Sequence, residues 1–222
     1  MRLLALTPSA LIGLACLVPA LAACVPYAVG TTPATTPAQE VRPSVVFQIA
    51  SEDRSLEDDE RPGGTSLMVG NGARLGLDER SDVGFQILGL GSIVATYQRQ
   101  IRGEPGADRG VALIVGGGVI GTKHLHAEAT LVASPGPLPA AESVTPYYGV
   151  RVQDLTPFSD GALNTQPAVG LFAGARLGWP DLALSPELGV FYSPTDLVGT
   201  DDFVVVPSVT VRGERLMRAL GL

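Results

Sequence analysis

Apolar side chains recur at every second residue over most of this chain, and this period limits the possible folds more than any other feature. In the segment VGLFAGARLGW, Val169, Leu171 and Leu177 alternate with glycines and with Arg176. Successive side chains of a β-strand point to opposite faces, so the pattern separates an apolar face from a polar one. No segment of comparable length shows an apolar stripe of helical period. The chain is therefore predicted to be all-β.

The predicted strands are long and follow one another closely. Strands in soluble domains average about 5–6 residues, whereas strands that cross a membrane need about 9–11. The links 78–81 and 180–181 are short enough to join antiparallel neighbours. These features predict an antiparallel up-and-down (meander) β-barrel of eight to ten strands. The main strand candidates are 67–77, 82–90, 92–102, 109–121, 124–134, 144–154, 165–178, 183–193 and 203–213, with an additional one at 43–50.

The composition of the two faces indicates which of them points outward. In a soluble barrel the apolar face lines the interior, and in a membrane barrel it faces lipid. Here the polar face is rich in glycine, and lysine occurs only once, at Lys123. We expect a narrow polar interior in which Gly174 and Gly178 make room for Arg176. Four aromatic residues near strand ends fit an interfacial girdle. They are Tyr148, Trp179, Tyr192 and Phe203.

The polar face carries charges of both signs. A buried charge without a partner costs several kcal/mol, so we expect guanidinium and carboxylate groups to pair across a narrow lumen. An anion-conducting pore is the alternative interpretation of the same arginines. The predicted lumen charge network consists of Arg74, Glu128, Arg151, Arg176, Glu187 and Arg212.

The first residues of the chain predict export. Residues 1–23 are an apolar run after Arg2 that ends in small residues, which is typical of a secretory signal peptide. Leu21-Ala22-Ala23-Cys24 resembles the lipobox of bacterial lipoproteins, and the resemblance implies acylation of Cys24. The other cysteine, Cys16, lies inside the predicted signal. Ordinary cleavage at a small-residue site is the alternative.

Composition along the chain indicates the domain limits. Residues 24–42 are rich in Thr, Pro and Ala and predict a lipidated flexible tether. The barrel domain is predicted over 43–213, and residues 214–222 form a C-terminal tail. Residues 51–64 are acidic and are interpreted as a solvated loop. The net charge is −7 without a basic run, which argues against nucleic acid as a partner.

Few residues carry chemistry that a catalytic or metal site would need. His124, His126 and Glu128 share one face of a predicted strand and are candidates for a metal site. Successive same-face side chains lie about 7 Å apart, which disfavours their convergence on one ion. No nucleophile elbow or phosphate loop is present, and a triad of His126, Glu128 and Ser134 lacks a defined nucleophile. We therefore predict a non-enzymatic protein without a cofactor.

Three segments carry a resemblance to small bacterial outer-membrane β-barrel proteins. They are TPYYGVR at 145–151, GARLG at 174–178 and PELGV at 186–190. The resemblance implies an even strand number and a plugged or narrow polar lumen. We expect a lipid-anchored outer-membrane barrel with a structural or surface role, in contact with membrane lipid through Cys24 and its apolar face. The alternatives are a tethered lipocalin-like periplasmic carrier of an apolar ligand and a hydrolase of membrane lipid.

Overall fold

The computed structural model describes most of the predicted barrel and the segment that precedes it. The predicted signal peptide, Cys24, most of the acidic run and the tail 214–222 lie outside the described residues. The described part of the chain contains no helix long and apolar enough to span a membrane. The described residues are 25–52, 64–89, 91–121, 124–157, 167–179, 182–193 and 202–213.

The strands form a closed barrel in which every neighbouring pair is antiparallel. Neighbouring strands are also consecutive in sequence, except where the first and last strands pair to close the barrel. The predicted meander barrel is confirmed. It has ten strands, the upper end of the predicted range, because the additional candidate at 43–50 is a full member of the wall. The strands are β1 (Val41–Glu52), β2 (Gly64–Asp78), β3 (Ser81–Leu88), β4 (Ser92–Gly103), β5 (Gly110–Ile120), β6 (His124–Ser134), β7 (Val144–Pro157), β8 (Ala168–Trp179), β9 (Leu182–Ser193) and β10 (Asp202–Arg212).

The two ends of the barrel differ in their connections. We call the end where β1 begins and β10 ends the proximal end, and the opposite end the distal end. Two of the proximal connections, 79–80 and 180–181, are only two residues long. The distal connections include the longer segments 53–63, 158–167 and 194–201. The proximal and distal ends are used below to place residues along the barrel axis.

The outer face is apolar, as predicted, and charged and polar side chains point inward together with several buried apolar side chains. Phe85 is 61% exposed and Leu171 64%, whereas Gln98, Arg151 and Glu187 are 0%, 3% and 6% exposed. A lipocalin-like carrier would need the opposite arrangement, with the apolar face lining a cavity. That alternative is therefore wrong for the described barrel.

The aromatic residues predicted as a girdle lie on the outer face near both ends. Tyr148 and Trp179 are exposed near the proximal end, where β7 begins and β8 ends. Tyr192 and Phe203 are exposed near the distal end, and their ring centroids lie 5.4 Å apart. Amphipathic rings at two levels of an apolar outer surface are typical of the two interfaces of a membrane.

The inward glycines of β8 make room for aromatic rings. A Cβ atom on Gly174 would lie 2.6 Å from the Tyr147 hydroxyl oxygen, and one on Gly170 would overlap the Phe191 ring. A Cβ atom on Gly178 would meet backbone at the start of β9. The expectation that Gly174 and Gly178 make room for Arg176 was therefore wrong. The reason is that inward rings and backbone of the flanking strands lie closest to these positions.

Two prolines interrupt the ladders in which they lie. The β8–β9 register omits Ala175 and Arg176, which lie opposite Pro186 and Ser185, respectively. The closing register of β1 with β10 covers only Ser44–Gln48 and stops at Ser208, next to Pro207. Proline has no N–H to donate, so each ladder loses pairing at that point. The β1–β10 seam is consequently paired only in its proximal half.

Residues 25–36 lie inside the barrel, which corrects the predicted flexible tether. Val25 packs against a cluster at the distal end, and Thr35 donates a hydrogen bond to the Glu79 carbonyl in a proximal turn (3.1 Å). The chain then turns at 37–40, where the Gln39 amide donates to the Gly76 carbonyl (2.9 Å), and enters β1. We call residues 25–36 the plug. Composition indicated an extended segment but not that the lumen would hold it.

The packing of Gly174 against Tyr147 gives a stability prediction. We expect Gly174→Val to lower the free energy of unfolding by about 1–3 kcal/mol, because the added carbons overlap a buried ring that cannot move aside. The matched control is Ala173→Val, the adjacent residue on the outer face, which we expect to change little. Urea unfolding of both variants in detergent micelles measures the difference. Equal midpoints for the two variants would contradict the close packing.

Candidate functional site

The interior of the barrel is apolar at its distal end and on the β5–β8 side, and polar elsewhere. One distal cluster packs against Val25, another against Tyr27, and a third lies around Val29. The Tyr27 ring lies 4.8 Å from the Phe191 ring between centroids. Every second residue of this part of the plug thus fills an apolar pocket of the wall. The three clusters comprise Met68, Leu88, Val94, Ile120 and Leu155, then Phe191, Val204 and Val206, then Ala112, Ile114, Val132, Tyr147 and Phe172.

Two inward glutamines bind the backbone of the plug. The Gln48 side chain accepts hydrogen bonds from the Tyr27 and Ala28 amides (3.2 and 3.3 Å) and donates one to the Val25 carbonyl (2.7 Å). The Gln98 amide nitrogen lies 3.2 Å from the Thr32 carbonyl oxygen. The plug has no strand neighbour among the described residues of the lumen, so side chains of the wall satisfy backbone groups that a ladder would otherwise pair.

Glu187 holds the middle of the plug. Its two carboxylate oxygens accept hydrogen bonds from the Val29 and Gly30 amides, each at 2.8 Å. Gly30 has a φ of 57°, and a Cβ atom there would overlap the Thr210 side chain. Only glycine gives the backbone this conformation at so close an approach to the wall. Glu187 and Gly30 together fix where the plug turns its amides toward β9.

Arg151 and Glu128 form an ion pair at mid-height. Arg151 Nη2 donates to Glu128 Oε2, and its Nη1 donates to the Tyr27 and Ala28 carbonyls (3.3 and 3.2 Å). His126 Nε2 lies 2.8 Å from the same Glu128 oxygen. Only 3% of the Arg151 side chain and 5% of the Glu128 side chain are exposed. The pair therefore joins β6, β7 and the plug in one buried polar group.

Two further ion pairs lie nearer the proximal end. Arg74 donates to Asp82, and Arg176 donates to both oxygens of Asp108 at 2.6 Å. Each carboxylate also accepts from the plug: Asp82 from the Thr36 amide and Asp108 from the Thr32 hydroxyl, both at 2.7 Å. The carboxylates therefore link arginines of the wall to the plug.

The six predicted network residues all face the interior, but only Glu128 and Arg151 pair with each other. Arg74 and Arg176 use carboxylates outside the predicted six, and Glu187 binds backbone amides. Arg212 makes no hydrogen bond or ion pair with any residue that the structure describes. The predicted set held four arginines against two glutamates, and this imbalance was the signal that two further carboxylates were needed. They are Asp82 and Asp108.

The metal and catalytic candidates do not come together. Glu128 is engaged by Arg151 and His126, and within the described residues no three metal-ligating side chains form a group. Ser134 is the last residue of β6, whereas His126 lies near the beginning of that strand. The Ser134 hydroxyl accepts a hydrogen bond from the Gly136 amide (3.0 Å). These positions do not support a metal centre on His124, His126 and Glu128 or a triad with Ser134.

Two small polar cavities lie beside the plug. One, of about 70 Å³, is lined at mid-height by Glu128 and Arg151 among others. The second, of about 60 Å³, lies nearer the proximal end and reaches Arg42 and Asp108. Cavities of this size hold several waters. Plug residues line both cavities, so the plug runs through the lumen where the alternative anion-conducting pore would need an open path.

Comparison with known proteins gives a likeness to outer-membrane barrels only at the level of solved structures. No protein-family model matches the chain, and no curated protein matches it. The chain is similar to Neisserial surface protein A (12% identity, 78% of this chain and 95% of that one, TM-score 0.35). It is also similar to the outer membrane protein OprG from Pseudomonas aeruginosa (11%, 82% and 97%, 0.32) and to de novo designed transmembrane β-barrels (12%, 80% and 98%, 0.30). With these TM-scores, the fold assignment depends on the strand register described above.

The Glu128–Arg151 pair predicts a non-additive mutant cycle. Removing one partner leaves a buried charge, so Glu128→Gln and Arg151→Met should each lower the free energy of unfolding by about 3–5 kcal/mol. The double variant should lose less than the sum, because neither charge is then left alone. Denaturant unfolding of the four proteins in micelles measures the coupling. Additive losses would contradict a direct pair.

The Glu187 contacts predict how the plug is held. Glu187→Gln removes the charge from two hydrogen bonds worth about 1.5–3 kcal/mol, so exchange of the Val29 and Gly30 amides should become about 10- to 100-fold faster. Amide hydrogen exchange by mass spectrometry follows the plug and the wall separately. The control is Glu142→Gln, an exposed residue of a connection, which should leave the plug unchanged. Unaltered protection of the plug in Glu187→Gln would contradict the role given to Glu187.

Proposed function

We propose that this protein is a non-enzymatic, lipid-anchored β-barrel of the bacterial outer membrane, closed along its axis, with a structural or surface role. The observation that carries the proposal is the apolar outer face, to which every strand of the barrel contributes. Monomeric soluble proteins rarely expose contiguous apolar patches beyond a few hundred Å². A bilayer covers such a belt, and the polar interior then avoids lipid.

Strand length and residue placement support a membrane-spanning barrel. The shortest strand, β3, has 8 residues, β5, β6 and β10 have 11 residues each, and the others are longer. A tilted strand of about 9–11 residues crosses the hydrocarbon core. Trp179 and Tyr192 lie on the outer face near opposite ends, at the levels where amphipathic rings meet the headgroups. The closed register leaves β1 and β10 without a free edge over their paired half.

The filled lumen supports a structural role over conduction. The plug contacts the wall through Gln48, Gln98 and Glu187, and Arg151 and Arg176 are both engaged in ion pairs. A conducting pore would need these groups to face a continuous path of water. We propose that the buried ion pairs and the plug keep the cross-section of the barrel fixed, and that the distal connections face away from the membrane.

The proposed anchor is an acylated Cys24, on the strength of its lipobox-like context. Cys24 directly precedes Val25, which packs at the distal end. A single acyl chain binds membranes only marginally, and the lipobox resemblance implies several chains on the one cysteine, so the anchor and the barrel wall would both contribute to retention.

The first test separates the barrel from the lipid as the source of membrane retention. We expect a Cys24→Ala variant, exported by an ordinary cleavable signal, to stay in membranes washed with alkaline carbonate, because the apolar belt remains in the bilayer. Fractionation and immunoblotting of pellet and supernatant give the result. Release of a folded soluble protein would overturn the spanning barrel and leave the lipid as the only anchor.

A labelled fatty acid tests the anchor separately. The full chain should incorporate the label, and Cys24→Ala should not. Cys16→Ala is the matched control, since it removes the cysteine inside the predicted signal and leaves the lipobox-like site intact. Retention without labelling would keep the barrel and reject the anchor, so the two parts of the proposal fail independently.

A further inference from the structure

The proximal cavity has an uneven charge balance. Four guanidinium groups line it, from Arg42, Arg74, Arg176 and Arg212. Three of them have a carboxylate: Arg42 pairs with Glu40 at 3.3 Å, and Arg74 and Arg176 form the pairs described above. Arg212 has no ion pair with any residue in the described part of the chain. One positive charge therefore remains at this cavity.

The remaining interior carboxylate does not balance Arg212. Glu187 faces the lumen but is engaged by the Val29 and Gly30 amides. Arg212 lies opposite Ala183 of β9 in the strand register, and Glu187 lies further along β9, beyond Pro186. The rise of a β-strand places Ala183 and Glu187 about 13 Å apart along β9. A partly buried charge without a counter-charge is unfavourable, so a negative group from outside the described chain would stabilise this position.

The cavity has the size and the donors for a small ion. Its volume is about 60 Å³, and Thr35 and Thr36 of the plug also line it. Each water-sized position takes about 10–15 Å³, so the cavity offers roughly four to six of them. The Arg42 side chain is 29% exposed, so the cavity lies beside solvent at the proximal end. Arginine binds oxyanions through two parallel N–H groups.

We propose that this cavity binds one small inorganic oxyanion, of the size of sulfate or phosphate, with Arg212 as its principal ligand. The anion supplies the charge that Arg212 lacks and shares the cavity with the neighbouring paired arginines. Bound there, it also lies against the plug, so occupation of the site stabilises the closed lumen. The site is distinct from the membrane-facing surface and goes beyond the proposed function.

Sulfate is the probe for the test, with gluconate used to keep ionic strength constant. The unfolding midpoint of the purified protein in micelles should begin to rise at sulfate concentrations near the dissociation constant and then increase with the logarithm of the concentration. At 100 times the dissociation constant, the ratio of folded to unfolded protein rises about 100-fold. Arg212→Gln should lose this logarithmic rise. Arg99→Gln, which removes one exposed positive charge from the outer face of β4, should keep it.

General stabilisation by sulfate would be equal in all three proteins and would grow in proportion to the sulfate concentration. An equal rise in wild type and Arg212→Gln, or a wild-type midpoint without the logarithmic rise, would overturn the proposal. Equilibrium dialysis of the wild-type protein with radiolabelled sulfate keeps the test independent of whether Arg212→Gln folds. One ion bound per chain supports the site, and no bound ion shows that water alone solvates Arg212.

Discussion

A ten-stranded barrel encloses more space than its own side chains fill, and the rest of this structure depends on how that space is occupied. Eight strands give an interior that inward side chains can just close. Here the additional width is taken by an extended segment of the same chain, residues 25–36, which carries no charged side chain. Without it, inward groups such as Gln48, Gln98 and Glu187 would lose partners that they have in the folded protein. Wall and plug are therefore parts of one core.

The interior combines two kinds of contact along one segment. Val25, Tyr27 and Val29 enter apolar pockets, while the backbone between them is bound by polar side chains of the wall. Two carboxylates, Asp82 and Asp108, extend this to the proximal end by joining arginines to threonine groups of the plug. These paired charges hold the polar lumen in one arrangement, and Arg212 is the exception for which an anion is proposed.

Period two made the wall predictable, since alternation specifies both the strands and their faces. The strand limits and the outward positions of Leu171 and Phe203 followed from it directly. The plug was not predicted, because only its first residues, Val25, Tyr27 and Val29, alternate, and the Thr-, Pro- and Ala-rich remainder is typical of a tether. Asp108 was missed for a related reason: it lies in a connection, and only the excess of arginine in the predicted network indicated that a further carboxylate was required.

The position of the plug also bears on the order in which the barrel assembles. A segment that runs through the lumen and continues into β1 has to lie against the wall before the wall is complete. The Tyr27 ring packs at a tilt against the Phe191 ring, and Arg151 donates a hydrogen bond to the Tyr27 carbonyl, so a later passage would have to break both contacts. We therefore expect the last step of assembly to be the pairing of Ser44–Gln48 with Ser208–Arg212, the shortest register in the described barrel. Since Pro207 limits that seam, we expect the wall to reopen most easily at the place where it closes.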